Sequence, residues 1–131
     1  MLISNAYREQ NAIFHQTRSN FGTGGKKEAL LFKDMIARTA TTSVLDYGCG
    51  KGVLKNTLRE FFPDLSIIGY DPAIKEYAAD PPPCDLVFCF DVLEHVEPEC
   101  IDDVLQHLAD KTLKAAIVTV SMHAAKKTLP D

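Results

Sequence analysis

The sequence predicts an α/β fold, a three-layer sandwich in which helices cover both faces of a small, mostly parallel sheet. Three observations carry that prediction. Four compact apolar runs, "TSVLDYG", "LSIIGYD", "CDLVFCFD" and "KAAIVTVS", show few alternating positions, as strands buried on both faces do. Helical patterns separate the first run from the second and the third from the fourth, which is how parallel neighbours are joined. Asp46, Asp71 and Asp91 stand at the carboxyl ends of the first three runs, the end of such sheets where ligands bind.

The totals agree with a single domain. A chain of 131 residues is one domain at most, here 1–131, with residues 1–40 as an N-terminal helical cap and 41–121 as the core. At that size roughly two thirds of the unfolded surface is buried, enough for one core. The 46% apolar and 24% charged content is that of a soluble globular protein. No apolar run approaches the ~20 residues of a membrane span, and "MLISNAYREQNAIF" lacks the basic start and apolar centre of a signal peptide. A cytoplasmic protein with no membrane partner is expected. The net charge is -4 and the longest basic runs are Lys26-Lys27 and Lys126-Lys127, too short for a nucleic-acid footprint. Cys49, Cys84, Cys89 and Cys100 form no C-x-x-C and have no histidine at a zinc offset. They are read as free thiols, with no metal site.

In chain order, residues 5–17 read as a weakly amphipathic helix, followed by the glycine-broken stretch "NFGTGGKK" (20–27). Residues 26–38 give a better helix with Leu30, Leu31, Met35 and Ile36 as its stripe. After the first strand, "GVLKNTLREFF" places Val53, Leu54, Leu58, Phe61 and Phe62 on one side, and Pro63 stops it. "EPECIDDVLQHLADK" keeps Ile101, Val104, Leu105 and Leu108 at helical spacing, with Pro98 suited to the first turn.

The chemistry concentrates in "VLDYGCGKG", residues 44–52, where Asp46 precedes Gly48, Gly50 and Gly52. Glycine lets the backbone turn sharply and lets a ligand approach without meeting a Cβ. The free N–H groups of the following helix start attract an anionic group. A dinucleotide pyrophosphate and an amino-acid carboxylate both suit that description, as does a tight turn without ligand. The spelling G-x-G-x-G differs from the G-x-G-x-x-G of dinucleotide folds, and Asp46 would repel a pyrophosphate but hold an ammonium.

"VLDYGCGKG" resembles the first motif of the class I, Rossmann-like methyltransferases that use S-adenosylmethionine, and "IIGYDPA" and "CDLVFCFDVLEHV" continue the resemblance in order over roughly 40–121. The group it resembles is the methyltransferase type 11/12-like one, in short form. The resemblance implies S-adenosylmethionine as cofactor and S-adenosylhomocysteine as product. It places Gly48, Cys49, Gly50 and Gly52 along the methionine and ribose portion, and Asp46 near the methionine end. Asp71, followed by Pro72, would accept from both ribose hydroxyls, a task for an acceptor-only carboxylate. Phe90, Asp91 and Leu93 would flank methionine and adenine. In similar proteins an N-terminal segment folds over the cofactor, which makes Tyr7, His15, Phe21 and Thr23 candidates; a glycine loop between two helices is the alternative. No catalytic residue is assigned. Asp91 and His95 stand four apart, as a carboxylate–imidazole pair on one helical face or as a capping acid and a packed histidine; His15 and His123 are further candidate bases.

Two departures from the family matter. Only "AIKEYAADPPPC" separates "GYDP" from the third strand, and Pro81, Pro82 and Pro83 cannot donate to a ladder. The strand that supplies an adenine-contacting acid is therefore missing, with Asp80 a poor substitute. The sequence also stops soon after the fourth strand. A sheet in the order 2-1-3-4 is expected, its last strand an open edge that a second copy pairs with or the N-terminal helix shields. Three functions fit: a methyltransferase acting on a small molecule or protein by in-line displacement, a non-catalytic S-adenosylmethionine-binding module needing a partner chain, and a nucleotide-dependent oxidoreductase domain, which Asp46 and G-x-G-x-G oppose.

Overall fold

The structure is a computed structural model of the chain and describes residues 2–4, 32–33 and 35–121. Four strands form the sheet: β1 (Ser43–Tyr47), β2 (Ser66–Tyr70), β3 (Cys84–Phe90) and β4 (Thr112–Thr119). They are all parallel, in the order β2-β1-β3-β4, as the spacing of apolar runs predicts. Tyr47 lies opposite Tyr70 and Asp46 opposite Phe88, so β1, β2 and β3 end at nearly one level.

Alternation along the strands divides the interior in two. Val44, Ile67, Leu86 and Phe88 pack with Ile36 and with Leu54 and Leu58 of α1 (Val53–Phe61). Their neighbours Leu45, Val87 and Cys89 pack with Tyr47, Tyr70, and Val104 and Leu108 of α2 (Ile101–Asp110). Successive strand residues point to opposite faces, so the two helices cover opposite faces of one sheet. That is the three-layer arrangement, and right-handed crossovers require it. Helical residues at 32–33 and 35–38 add Phe32 and Ile36 to the α1 face, where the Phe32, Phe88 and Phe90 rings lie 5.4–5.6 Å apart.

The helices bury narrower stripes than their sequences suggest. In α1 only Leu54 and Leu58 are fully buried, while Phe61, its last residue, is 41% exposed beneath the Lys33 ammonium. In α2, Leu105 sits one position off the Val104–Leu108 stripe and is 47% exposed. Pro98 opens a single 3₁₀ turn (Pro98–Cys100) that leads into α2 instead of starting the α-helix itself. Leu30 and Leu31 lie outside the described residues, as does the expected helix at 5–17. Among the described residues no helix is long and apolar enough to cross a membrane.

Candidate functional site

The turn leaving β1 puts all three glycines in the left-handed region, with φ of 80° at Gly48, 54° at Gly50 and 80° at Gly52. Each would strain an L-residue. The N–H groups of Gly48 and Cys49 both donate to the Tyr70 carbonyl, at 2.7 and 3.0 Å. This ties the turn to the end of β2. Space is a second reason for glycine at the first position: a Cβ on Gly48 would come within 2.4 Å of the Val92 side chain. On Gly52 it would meet the Tyr77 hydroxyl at 3.0 Å. Val92 follows β3 and Tyr77 follows β2, so the bare backbone is contacted from both neighbouring connections.

Asp71 joins those parts. Its Oδ2 accepts the Gly50 N–H at 3.0 Å across 21 positions of sequence, and its Oδ1 accepts the Ala73 N–H at 3.0 Å. The residue is 7% exposed, a depth that a carboxylate tolerates only with such donors. Its own N–H donates to the Tyr77 carbonyl, and Ile74 N–H donates back to the Asp71 carbonyl. The segment after Asp71, including half-buried Pro72, is thus folded back on itself. The family resemblance pointed to Asp71 as a ligand acceptor; its hold on the glycine turn is visible only in three dimensions.

Asp46 is 5% exposed in the middle of the sheet. Burial, and next the Asp46 charge, push the Cys49 thiol far above its ordinary range. The same two causes, with Glu94 third, push Cys89 up to about 12. All four cysteines are buried and free, so none is a thiolate nucleophile at neutral pH. Cys49 Sγ occupies the space beside Gly69, where a Cβ would lie 2.9 Å away.

After β3 the chain turns at Asp91, whose φ of 55° makes it the one non-glycine in the left-handed region among the described residues. Asp91 does not cap the next turn. Its N–H donates to the Thr119 carbonyl and hydroxyl oxygens, and its Oδ1 accepts the Thr119 hydroxyl at 3.3 Å, which joins the ends of β3 and β4. Leu93–His95 is a single 3₁₀ turn. Leu93 packs on the α2-side core, His95 is exposed, and the Phe90 ring packs against both Phe32 and Phe88. Glu94, unmarked by the sequence, accepts the Ser121 N–H at 2.7 Å, and its second oxygen is buried without a hydrogen bond among the described residues.

The glycine turn, Asp46 and Asp71 therefore meet at one end of the sheet, with Pro72, Asp91 and Leu93 on the connections beside it. Asp80 turns away from it, to His107 and Lys111 of the α2 region. Tyr7, His15, Phe21, Thr23 and His123 lie outside the described residues. Among the described residues, no three His, Cys, Asp or Glu side chains are grouped to hold a metal.

The comparisons agree with this fold. A candidate O-methyltransferase of Nostoc punctiforme superposes with a TM-score of 0.60 at 17% identity, over 82% of this chain and 40% of its own. The plantazolicin methyltransferase BpumL, solved with S-adenosylhomocysteine, gives 0.52 at 14% identity, over 88% and 52%. At such identities the likeness is one of fold, and the chain spans about half or less of either structure. No curated protein matches the sequence. The family described as "Methyltransferase domain" matches residues 9–129, nearly the whole chain, and this protein belongs to that family.

Proposed function

We propose that the chain binds S-adenosylmethionine at the carboxyl ends of β1, β2 and β3 and serves a methyl transfer to a small-molecule or protein acceptor. The observation that carries this reading is the Asp71–Gly50 bond: a buried carboxylate held at the glycine turn by two backbone N–H donors. A carboxylate has acceptor capacity beyond two bonds, so Asp71 suits a pair of ribose hydroxyls. Gly48, Cys49, Gly50 and Gly52 supply a backbone with no bulky side chain for the aminoacyl and ribose portion. Asp46 supplies negative charge for the ammonium. The neighbour solved with S-adenosylhomocysteine is consistent with that ligand class.

When bound, the cofactor supplies an activated methyl group on a good leaving group. The protein's part is then chiefly to align acceptor and methyl carbon and to exclude water, a positioning effect that needs no strong base. The raised thiols of Cys49 and Cys89 remain protonated and take no covalent part. His95 is exposed and forms no pair with Asp91, whose carboxylate serves Thr119.

A second reading has its own observation. The chain spans 40% and 52% of the two methyltransferase structures it resembles, as a cofactor-binding module completed by further chain or a partner would. Calorimetric titration with S-adenosylhomocysteine tests both. Micromolar binding, weakened at least about tenfold by Asp71→Asn through loss of charge-assisted bonds, is the expected result. Absence of binding at millimolar ligand overturns the cofactor assignment. Binding without methyl transfer to any acceptor in the absence of a partner selects the second reading.

A further inference from the structure

Outside the glycine turn, four side chains among the described residues form a hydrogen-bonded row. The Tyr47 hydroxyl lies 2.7 Å from Nδ1 of His107, Nε2 of His107 lies 2.7 Å from Oδ1 of Asp80, and Nζ of Lys111 donates to Oδ2 of Asp80 at 2.7 Å. The rings of Tyr47, Tyr70 and His107 pack on one another with centroids 5.1–5.4 Å apart.

The protonation states follow from the surroundings. Burial, and next the neighbouring Tyr70, push Tyr47 far above the ordinary phenol range, so it keeps its proton. Lys111, and next His107, hold Asp80 below the ordinary aspartate value, so it is an acceptor only. In the tautomer that donates from Nε2–H to Asp80, the Nδ1 of His107 accepts the Tyr47 O–H, and both ring nitrogens are used.

The two ends of the row explain what it holds. Tyr47 is the residue before Gly48. Asp80 lies in the short β2–β3 connection, between Tyr77, which contacts Gly52 and accepts the Asp71 N–H, and Pro81-Pro82-Pro83, which can form no ladder. The Cys84 N–H donates to the Lys111 carbonyl, so the same helix end also receives the start of β3. Asp80 itself is 68% exposed while His107 and Lys111 are 14% and 15% exposed. The connection has no strand of its own, and its polar anchor is supplied from α2.

We infer that His107 is a positioning residue for the cofactor site: through Asp80 it fixes the short β2–β3 connection, and through Tyr47 the start of the glycine turn, in one geometry. The connection carries Asp71 and Tyr77, so this anchoring sets the nucleoside-facing wall that a missing strand would otherwise build. The inference rests on the cofactor reading above only for its effect on affinity; the anchoring is independent of it.

The test is His107→Ala beside His107→Gln, whose side-chain amide can still donate to Asp80. Hydrogen exchange without ligand is read at the Asp71, Ile74 and Tyr77 amides, with Leu45 and Leu58 as core references. Loss of the anchor in the alanine variant accelerates the connection amides about tenfold, the net worth of one hydrogen bond, and leaves the core amides unchanged. The glutamine variant restores most of the protection. S-Adenosylhomocysteine affinity falls by a similar factor in the alanine variant and recovers in the glutamine one. A lower melting temperature with no local acceleration and no change in affinity overturns the inference and leaves His107 a packing residue. If the native chain binds no S-adenosylhomocysteine, the cofactor reading fails and exchange alone decides the anchoring. Should His107→Ala not fold, Asp80→Ala removes the same anchor from its outer end and carries the same two outcomes.

Discussion

Strands β3 and β4 lie side by side in the sheet and read alike in sequence, yet they live in different surroundings. β3, CDLVFCF, is buried at six of its seven residues. β4, TLKAAIVT, is exposed or half-exposed along its whole length, with Leu113 at 63% and Val118 at 43% exposure. Each is a near-continuous apolar run, the composition of a strand covered on both faces. β3 has β1 on one side and β4 on the other, with α1 and α2 packed across its two faces. β4 is paired on one side among the described residues. An apolar run therefore specifies a strand suited to full cover; neighbours decide whether it receives that cover.

The contrast is sharpest in stability. Phe88→Ala empties a fully buried site in β3 and is expected to cost about 3–5 kcal/mol, whereas Val118→Ala in β4 should cost under about 1 kcal/mol. Urea denaturation of both variants measures the difference. Equal losses would show that β4 is as buried in solution as β3.

The next effect is local to the glycine turn that leaves β1. Gly48→Ala forces an L-residue to φ of 80° and drives a Cβ into Val92. A loss of about 1–3 kcal/mol is expected, together with loss of S-adenosylhomocysteine binding. An unchanged midpoint would mean that Val92 and the turn move easily.

The exposure of β4 gives a third prediction. Its one charged residue, Lys114, reaches back to the Ala40 carbonyl and toward Asp85, so among the described residues no charge of β4 guards the outer edge in the manner of isolated edge strands. Pairing with a second copy along β4 is the expected arrangement. Sedimentation should show a dimer that Val118→Lys converts to monomer, and a native monomer at all concentrations would remove the idea.

The smallest effect concerns acid. Asp85 accepts both the N–H and the hydroxyl of Thr42, which together with Lys114 hold its carboxyl below the ordinary 3.8; Lys111 and His107 do the same for Asp80. A carboxyl lowered on folding adds stability that is fully present above its unfolded value and is lost as pH falls through its folded one. Stability should therefore decline below about pH 4, and more gently in Asp80→Asn and Asp85→Asn, as thermal melts at a series of pH values would record.

Much of the site was legible in order along the chain. The alternate glycines, Asp46 and Asp71 announce a turn and two carboxylates at strand ends because backbone freedom and charge are properties of residue type. The partners were not legible. Val92 against Gly48, Tyr77 against Gly52 and Asp80 against His107 join residues 44, 25 and 27 positions apart, and no local pattern marks such pairs. The capping role open to Asp91 was lost to Thr119 of β4, a neighbour that exists only once the sheet has formed.

By itself the sequence determined the strands, the alternation of helices between faces and the glycine turn at the end of β1, since hydrophobic period and glycine act over a few residues. Tertiary structure alone decided how each apolar run is covered and how Asp71 is held. It also decided that a proline-rich connection without a strand is anchored through Asp80 and His107. Those outcomes depend on which distant groups arrive at hydrogen-bond distance, and burial favours such meetings for most polar atoms taken from water.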